Sequence, residues 1–212
     1  MLYNARNRIS GVVLAGGKNN RFPLLKSHLK INGITLIERN LQLLYSFCDE
    51  VFINTNNPEL YYGYRTIMCG DVLPSRGPMS GIHSALMNAT NQNLFVIACD
   101  MPFLKEEVLG YICQRHFESL ENEAYDATIP VYNGNVQPLC GVYSKTLLAS
   151  LERQIFERKN SMYLYLHEIN TNFIPEREIK ELDPDGSSFI NINTISDYET
   201  LRRRKGEFTL SV

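Results

Sequence analysis

The 212-residue sequence contains no apolar run that approaches the roughly 18 residues needed to span a membrane, which excludes an integral membrane protein. Its first ten residues also lack the apolar core of a secretory signal. The five cysteines are scattered and include no C-x-x-C pair. A disulfide scaffold and a thiolate zinc site are therefore not expected, and a reducing cytoplasm is the expected location.

The net charge of the chain is close to zero, with 21 Lys and Arg against 23 Asp and Glu. This balance argues against a dedicated nucleic-acid-binding protein. The charge is nevertheless uneven, because residues 1–37 contain six basic residues and no acidic residue. A cationic segment on a mildly acidic chain predicts binding of a small polyanion, and the alternative is surface charge without a role.

Short apolar runs alternate with amphipathic stretches along the chain. The predicted strands are 9–14, 50–55, 66–69, 94–99, 127–131, 140–143 and 188–192, and the predicted helices are 35–47, 80–89, 104–118, 144–158 and 195–203. This alternation predicts βαβ units and a mostly parallel sheet with helices on both faces. No linker divides the chain, so we expect one α/β domain over 1–212, with a loose arm at 1–8 and a tail at 206–212. In such sheets, ligands bind beyond the carboxyl ends of the strands.

The loop after the first predicted strand combines glycine with positive charge. Gly16 and Gly17 allow the backbone to approach a ligand closely, and Lys18, Arg21 and Lys26 follow them. The spacing fits neither G-x-x-x-x-G-K-[ST] nor G-x-G-x-x-G, so P-loop hydrolases and dinucleotide oxidoreductases are not favoured. We expect a triphosphate site here, and the alternative is an ordinary turn.

A single carboxylate follows the apolar run 94–99. Asp100 is the only acidic residue between Asp71 and Glu106. A carboxylate buried at a strand end needs a partner, and Mg²⁺ held by one or two carboxylates together with phosphates would supply one. The alternative is that Asp100 caps the helix that follows.

Several motifs together identify a family resemblance. They are L-A-G-G-K-N-N-R-F, L-L-K-S-H-L-K-I-N-G, Asn54 at the end of the second strand, G-P-M-S-G-I, C-D-M-P-F, Q-P-L-C-G-V-Y and F-I-N-I-N-T. In this order they resemble the molybdenum cofactor guanylyltransferases (MobA-type), within the Rossmann-like nucleotidyltransferase group. The matches run from about residue 9 to residue 203, which is nearly the whole chain. L-A-G-G with a downstream lysine defines only the wider nucleotidyltransferase group. The other motifs narrow the resemblance to the guanylyltransferases.

The resemblance implies a single Rossmann-like nucleotidyltransferase domain that joins GMP from GTP to the phosphate of molybdopterin and releases pyrophosphate. It implies Mg²⁺ as the cofactor, with Mn²⁺ as a substitute. The implied protein partners are cofactor-delivery proteins or molybdoenzymes, and no binding to nucleic acid or to a membrane is expected. Three alternatives remain open. The nucleotide is CTP, the acceptor is a sugar or lactate phosphate, or the chain is a non-catalytic module that binds nucleotide or pterin.

The resemblance also implies a role for each candidate site residue. The implied nucleotide-binding residues are Leu14, Ala15, Gly16, Gly17, Lys26, Asn54, Asp71, Gly81 and Asp100. The implied catalytic residues are Arg21, Lys26 and Asp100, and the implied metal ligands are Asp100 and Asn193. The implied acceptor-binding residues are Gln137, Ser161 and Asn191. Asn191 is also the expected supporter of Asn193, and in the alternative interpretation both asparagines only form a turn.

The chain departs from the family pattern in one loop. The family usually has R-M-G-x-D-K where this sequence has R-F-P-L-L-K at 21–26. Pro23 replaces a flexible glycine and fixes φ near about −65°, so this loop must follow a different path. Leu25 replaces an acid expected near the phosphates. These two residues keep the binding-module alternative open.

Overall fold

The computed structural model of the chain describes residues 8–16, 26–73, 77–120, 124–194 and 196–200. The strands are β1 (Ile9–Leu14), β2 (Lys30–Ile31), β3 (Ile34–Thr35), β4 (Glu50–Asn54), β5 (Ile67–Cys69), β6 (Asn93–Ala98), β7 (Ala127–Tyr132), β8 (Asn135–Val136), β9 (Cys140–Ser144) and β10 (Thr171–Ile174). The helices are α1 (Leu36–Tyr45), α2 (Pro78–Asn88), α3 (Glu106–Leu120), α4 (Leu148–Phe156), α5 (Met162–Glu168) and α6 (Glu176–Leu182).

The central sheet has the strand order β10-β7-β9-β6-β1-β4-β5, and β8 pairs with β7 outside this order. β1 pairs in parallel with both β4 and β6, and the β4–β5 and β7–β10 pairs are also parallel. The predicted α/β fold with a mostly parallel sheet is confirmed. β9 runs antiparallel to β6 and β7, which the sequence did not predict because a short buried run carries no signal of its direction.

β1 lies at the centre of the core because both of its faces are covered. All six of its residues are buried. Ile9 and Val13 pack with residues of α1, α3 and α6, whereas Val12 and Leu14 pack on the opposite face with residues of α2, α4 and α5. Burial on both faces explains why the strand, I-S-G-V-V-L, does not alternate between apolar and polar residues.

Two local devices shape the chain between Lys26 and α1. Asn32 and Gly33 both have positive φ, 54° and 81°, as a two-residue hairpin turn of this handedness requires, and they connect β2 to β3. α1 then begins with a capping box, in which Thr35 Oγ1 accepts the Glu38 N–H at 3.2 Å and Glu38 Oε2 accepts the Thr35 N–H at 2.9 Å. A three-residue 3₁₀ turn, Lys26–His28, precedes the hairpin.

The predicted strand at 188–192 is wrong, because this segment begins with a 3₁₀ turn over Ser187–Phe189. A buried carboxylate holds the turn: Asp183 accepts the Ser188 N–H at 2.8 Å and pairs with Lys105 Nζ at 2.6 Å. The ion pair attaches the turn to the chain just before α3. The apolar residues of this segment are therefore buried within a turn and not in a strand paired with the sheet.

Other differences concern short elements and boundaries. The predicted helix at 144–158 is a 3₁₀ turn, Lys145–Leu147, followed by α4. β10, α5 and α6 were not predicted, because four to seven residues show too few periods to reveal a pattern. Residues 196–200 of the predicted closing helix are helical, and the rest of it lies outside the described residues. Within the described ranges, no helix combines the length and hydropathy needed to cross a membrane.

A buried histidine should make the fold sensitive to acid. His116 on α3 is fully buried, with its ring nitrogens 3.0 Å from Thr128 Oγ1 and 3.0 Å from Asn93 Oδ1. Burial lowers the pKa of His116 to about 4, against about 6.5 in an unfolded chain. Between these two pH values only the unfolded state binds the proton. The free energy of unfolding should therefore fall as the pH drops through this window, by up to about 3 kcal/mol.

Urea unfolding of the wild type and of His116→Gln across this pH window tests the prediction. The variant lacks the titrating ring, so its stability should fall less steeply with acidification. Parallel pH profiles for the two proteins would exclude His116 as the source of the acid sensitivity.

Candidate functional site

An open groove of about 830 Å³ lies at the carboxyl ends of the central strands. The register pairs Leu14 of β1 with Asn54 of β4 and with Ala98 of β6, so three strands end at the same edge. The chain leaves β1 toward β4 on one side and later returns to β6 on the other, which makes β1 the topological switch point of the sheet. The predicted site residues that line the groove are Leu14, Gly16, Asn54, Asp71, Gly81 and Asp100.

Two asparagines hold the Asp71 carboxylate at one end of the groove. Asn54 Nδ2 donates to Asp71 Oδ1 at 3.4 Å, and Asn56 Nδ2 donates to Asp71 Oδ2 at 3.0 Å. Asn56 Oδ1 also accepts the Asp71 N–H at 2.8 Å. The result is an oriented carboxylate that can accept hydrogen bonds from N–H groups of a ligand. Asn56 was not predicted, although the asparagine-rich run after β4 was a signal for it.

Helix α2 reaches the groove through a glycine. A Cβ at Gly81 would lie 2.5 Å from Asn54 Oδ1 and 3.1 Å from Leu14 Cδ2, so a larger residue would displace the Asn54 carboxamide. Gly77 and Pro78, at the start of α2, also line the groove. The positive end of the helix dipole therefore faces the ligand space.

A second cluster joins three residues that are far apart in the sequence. Lys26 Nζ lies 3.6 Å from Asp100 Oδ2 and 3.5 Å from Asn193 Oδ1. The Ile192 N–H donates to the Asp100 backbone carbonyl at 2.9 Å, which holds the segment before Asn193 against the end of β6. Burial raises the pKa of the Asp100 carboxyl, and the Lys26 ammonium partly opposes that increase. The site thus holds a desolvated carboxylate that is stabilised by positive charge.

The Asn193 segment is oriented by a different residue from the one expected. Asp197 Oδ2 accepts the Asn193 N–H at 2.9 Å and the Thr194 N–H at 2.7 Å. Asn191, the expected supporter, instead donates from Nδ2 to the Phe189 carbonyl at 3.4 Å. The spacing of Thr194 and Asp197 matches a helix-capping pattern, a sequence signal that could have identified Asp197.

The residues of this cluster fit a hard divalent cation. The Asp100 carboxylate and the Asn193 amide oxygen both contact the same ammonium, so both face one cationic position. No group of three or more His, Cys, Asp or Glu side chains in the described part of the chain could hold a metal. A cation here would therefore complete its shell with water and ligand phosphates, as Mg²⁺ commonly does. Burial raises the pKa of the adjacent Cys99 thiol to about 12, so this thiol is protonated at neutral pH.

The remaining predicted residues are not part of the groove lining or lie outside the described ranges. Ala15 packs against the core. Gln137 Nε2 donates to the Asn135 carbonyl at 3.2 Å, and Ser161 Oγ caps α5 by accepting the Leu164 N–H at 3.3 Å. The predicted residues Gly17, Lys18, Arg21, Pro23 and Leu25 lie outside the described residues.

Comparison with known proteins gives matches over most of the chain. Residues 11–169 match the family model described as the MobA-like NTP transferase domain. The chain is 33% identical over 192 residues to the molybdenum cofactor guanylyltransferase of Desulfosudis oleivorans, covering 90% of this chain and 93% of that protein. It is 34% identical over 199 residues to a probable molybdenum cofactor guanylyltransferase of Clostridium perfringens (strain SM101), covering 92% and 97%. The crystal structure of molybdopterin-guanine dinucleotide biosynthesis protein A from Archaeoglobus fulgidus is similar, with a TM-score of 0.78 and 26% identity, covering 94% and 100%.

Two helical glycines should respond oppositely to the same substitution. Gly81→Ala should destabilise the protein by about 1–3 kcal/mol, because the new methyl overlaps Asn54. Gly110→Ala, inside α3, should stabilise it by about 0.5–1 kcal/mol, because a Cβ there meets nothing within 4 Å and alanine favours a helix. Urea unfolding of both variants measures the two changes. A Gly81→Ala protein as stable as Gly110→Ala would contradict the close contact between α2 and Asn54.

Proposed function

This chain belongs to the MobA-like NTP transferase family, and on that premise we propose that it transfers GMP from GTP to the phosphate of molybdopterin. The family and the nucleotidyltransferase class predicted from the sequence are confirmed by these matches. The convergence of Lys26, Asp100 and Asn193 beside a groove at the switch point is the observation that carries the proposed chemistry.

In the proposed reaction, a phosphate oxygen of the acceptor attacks the α-phosphorus of GTP. The bond from this phosphorus to the oxygen that bridges to the β-phosphorus breaks, and pyrophosphate leaves with the bond electrons. The acceptor phosphate is already a nucleophile, so no Ser-His-Asp or Cys-His machinery is required. Alignment of the two phosphates and stabilisation of the charge on them would supply most of the rate enhancement.

The charges at the groove define the roles of the proposed catalytic groups. The described lining of the groove contains two carboxylates and no basic side chain. The phosphates therefore depend on positive charge from outside this lining. Lys26 supplies one such charge, and the predicted phosphate contacts Lys18 and Arg21 precede it in the sequence. Asp100 and Asn193 would hold Mg²⁺ or Mn²⁺, which would neutralise charge on the α-phosphate and on the departing pyrophosphate.

The Asp71 end of the groove suits a guanine base. Guanine offers adjacent N1–H and N2–H donors along one edge, which match the two oxygens of a carboxylate. Cytosine presents an N–H donor beside an acceptor nitrogen, and the latter would face a carboxylate oxygen unfavourably. The clamp by Asn54 and Asn56 keeps the Asp71 carboxylate in one orientation, which supports GTP over CTP.

Calorimetry of GTP binding with and without Mg²⁺ tests the cation site. In the wild type, Mg²⁺ should strengthen GTP binding. Asp100→Asn should weaken the binding measured with Mg²⁺ by roughly tenfold or more, because it removes the charge that pairs with the cation. Asp185→Asn, at an exposed position that does not line the groove, is the matched control and should behave as the wild type. Unchanged Mg²⁺-dependent binding in Asp100→Asn would contradict the assignment.

Nucleotide competition tests the role of Asp71. Asp71→Asn should lower the affinity for GTP by roughly 10- to 100-fold, because hydrogen bonds to a charged acceptor are lost. The affinity for CTP should change much less, and the Mg²⁺ effect should persist. An equal loss for both nucleotides would exclude Asp71 as the base-selective group. A wild-type preference for CTP would retain the transfer chemistry but make the product a cytidine derivative, in conflict with the proposal.

A further inference from the structure

The turn that carries Lys26 is attached to the core by a buried tyrosine. The Tyr61 hydroxyl lies 2.8 Å from Ser27 Oγ, and both residues are only 2% exposed. The same hydroxyl donates to the Ala15 backbone carbonyl at 3.4 Å. Ala15 directly follows β1, and Ser27 directly follows Lys26. One hydroxyl therefore connects the end of the central strand to the Lys26 turn.

Tyr61 is itself held in place from several sides. It ends a 3₁₀ turn over Pro58–Leu60, and its N–H donates to the Pro58 carbonyl at 2.9 Å. Its ring belongs to the core cluster that contains Met101 and lies 5.5 Å from the His28 ring. Burial raises the pKa of Tyr61 to about 12, so the hydroxyl keeps its proton and can act as a donor at neutral pH.

We infer that Tyr61 is a positioning residue for Lys26, because its hydroxyl fixes the Lys26 turn, through Ser27, against the end of β1. This inference rests on the catalytic role proposed for Lys26. Tyr61 does not line the groove, so it acts through the lysine and not on the substrate. The reach of the lysine stem is limited, so the backbone of the turn must lie where the ammonium can contact both Asp100 and Asn193.

The first test needs no nucleotide. Lysines are labelled by reductive methylation with ¹³C, and the Lys26 NMR signal is assigned with Lys26→Arg. In the wild-type background, Asp100→Asn should shift this signal, since the two side chains are 3.6 Å apart. With Tyr61→Phe, the shift caused by Asp100→Asn should shrink, because Ser27 loses its contact with the Tyr61 hydroxyl beside Lys26. An undiminished shift would overturn the inference.

Tyr64→Phe is the matched control for this experiment. Tyr64 lies in the same segment, and its ring also contacts His28, with 6.0 Å between the ring centroids. Its hydroxyl is 3.5 Å from Thr35 Oγ1, so Tyr64→Phe removes that contact and keeps the ring. This variant should retain the full Asp100→Asn shift, and an equal loss in both tyrosine variants would overturn the inference. Thermal unfolding establishes that each protein is folded. If Tyr61→Phe does not fold, Ser27→Ala removes the other side of the same contact and is measured in its place.

The second test combines Tyr61→Phe with Lys26→Ala in an assay of GMP transfer. With Lys26 present, Tyr61→Phe should lower kcat by roughly tenfold to a hundredfold, with a smaller effect on the KM for GTP. In the Lys26→Ala background it should cause no further loss. An equal loss in both backgrounds would show a general structural role and overturn the inference. Absence of transfer in the wild type would reject the proposed function, while the NMR experiment would still decide the role of Tyr61.

Discussion

The parallel pairing of β1 between β4 and β6 is the constraint on which the groove depends. It brings the ends of three strands to one edge, so that Asn54 and Asp100 lie on either side of the end of β1. Close packing on both faces of β1 favours this register, because a slip of one residue would exchange the side chains of two differently packed faces and replace Gly11, where a Cβ would lie 2.8 Å from Cys48 Sγ. A slip of β4 by one residue would likewise turn the Asn54 carboxamide away from the groove. The hydrophobic core therefore determines the position of the polar site.

The two carboxylates of the groove have different partners, and their proposed roles differ accordingly. Asp71 is held by the neutral carboxamides of Asn54 and Asn56, which orient it without neutralising its charge. Asp100 is desolvated and lies beside the Lys26 ammonium, so its charge is balanced locally. The first environment suits recognition of neutral N–H donors, and the second suits a group of positive charge. This separation supports a base at one end of the groove and phosphates at the other.

Several residues outside the groove determine where its polar groups lie. Asp197 orients the Asn193 backbone, and Asp183 holds the preceding turn against Lys105. The Tyr61 hydroxyl contacts the chain beside Lys26 in a similar way. The Asp183 and Tyr61 contacts bury polar groups with satisfied partners, which makes these two local arrangements costly to change. The site is consequently held by the tertiary structure around it as well as by the strands that end there.

The sequence by itself determined the α/β class, the glycine-rich end of β1 and the placement of Asp100 at the end of β6. These features follow from periodicity and from neighbouring residues, which are local properties. The tertiary structure alone decided the reversed direction of β9, the turn in place of the expected strand at 188–192 and the meeting of Lys26 with Asn193. It also assigned the support of Asn193 to Asp197 and added Asn56 to the groove. Contacts of this kind depend on which buried surfaces pack together, and the spacing of residues along the chain does not encode that packing directly.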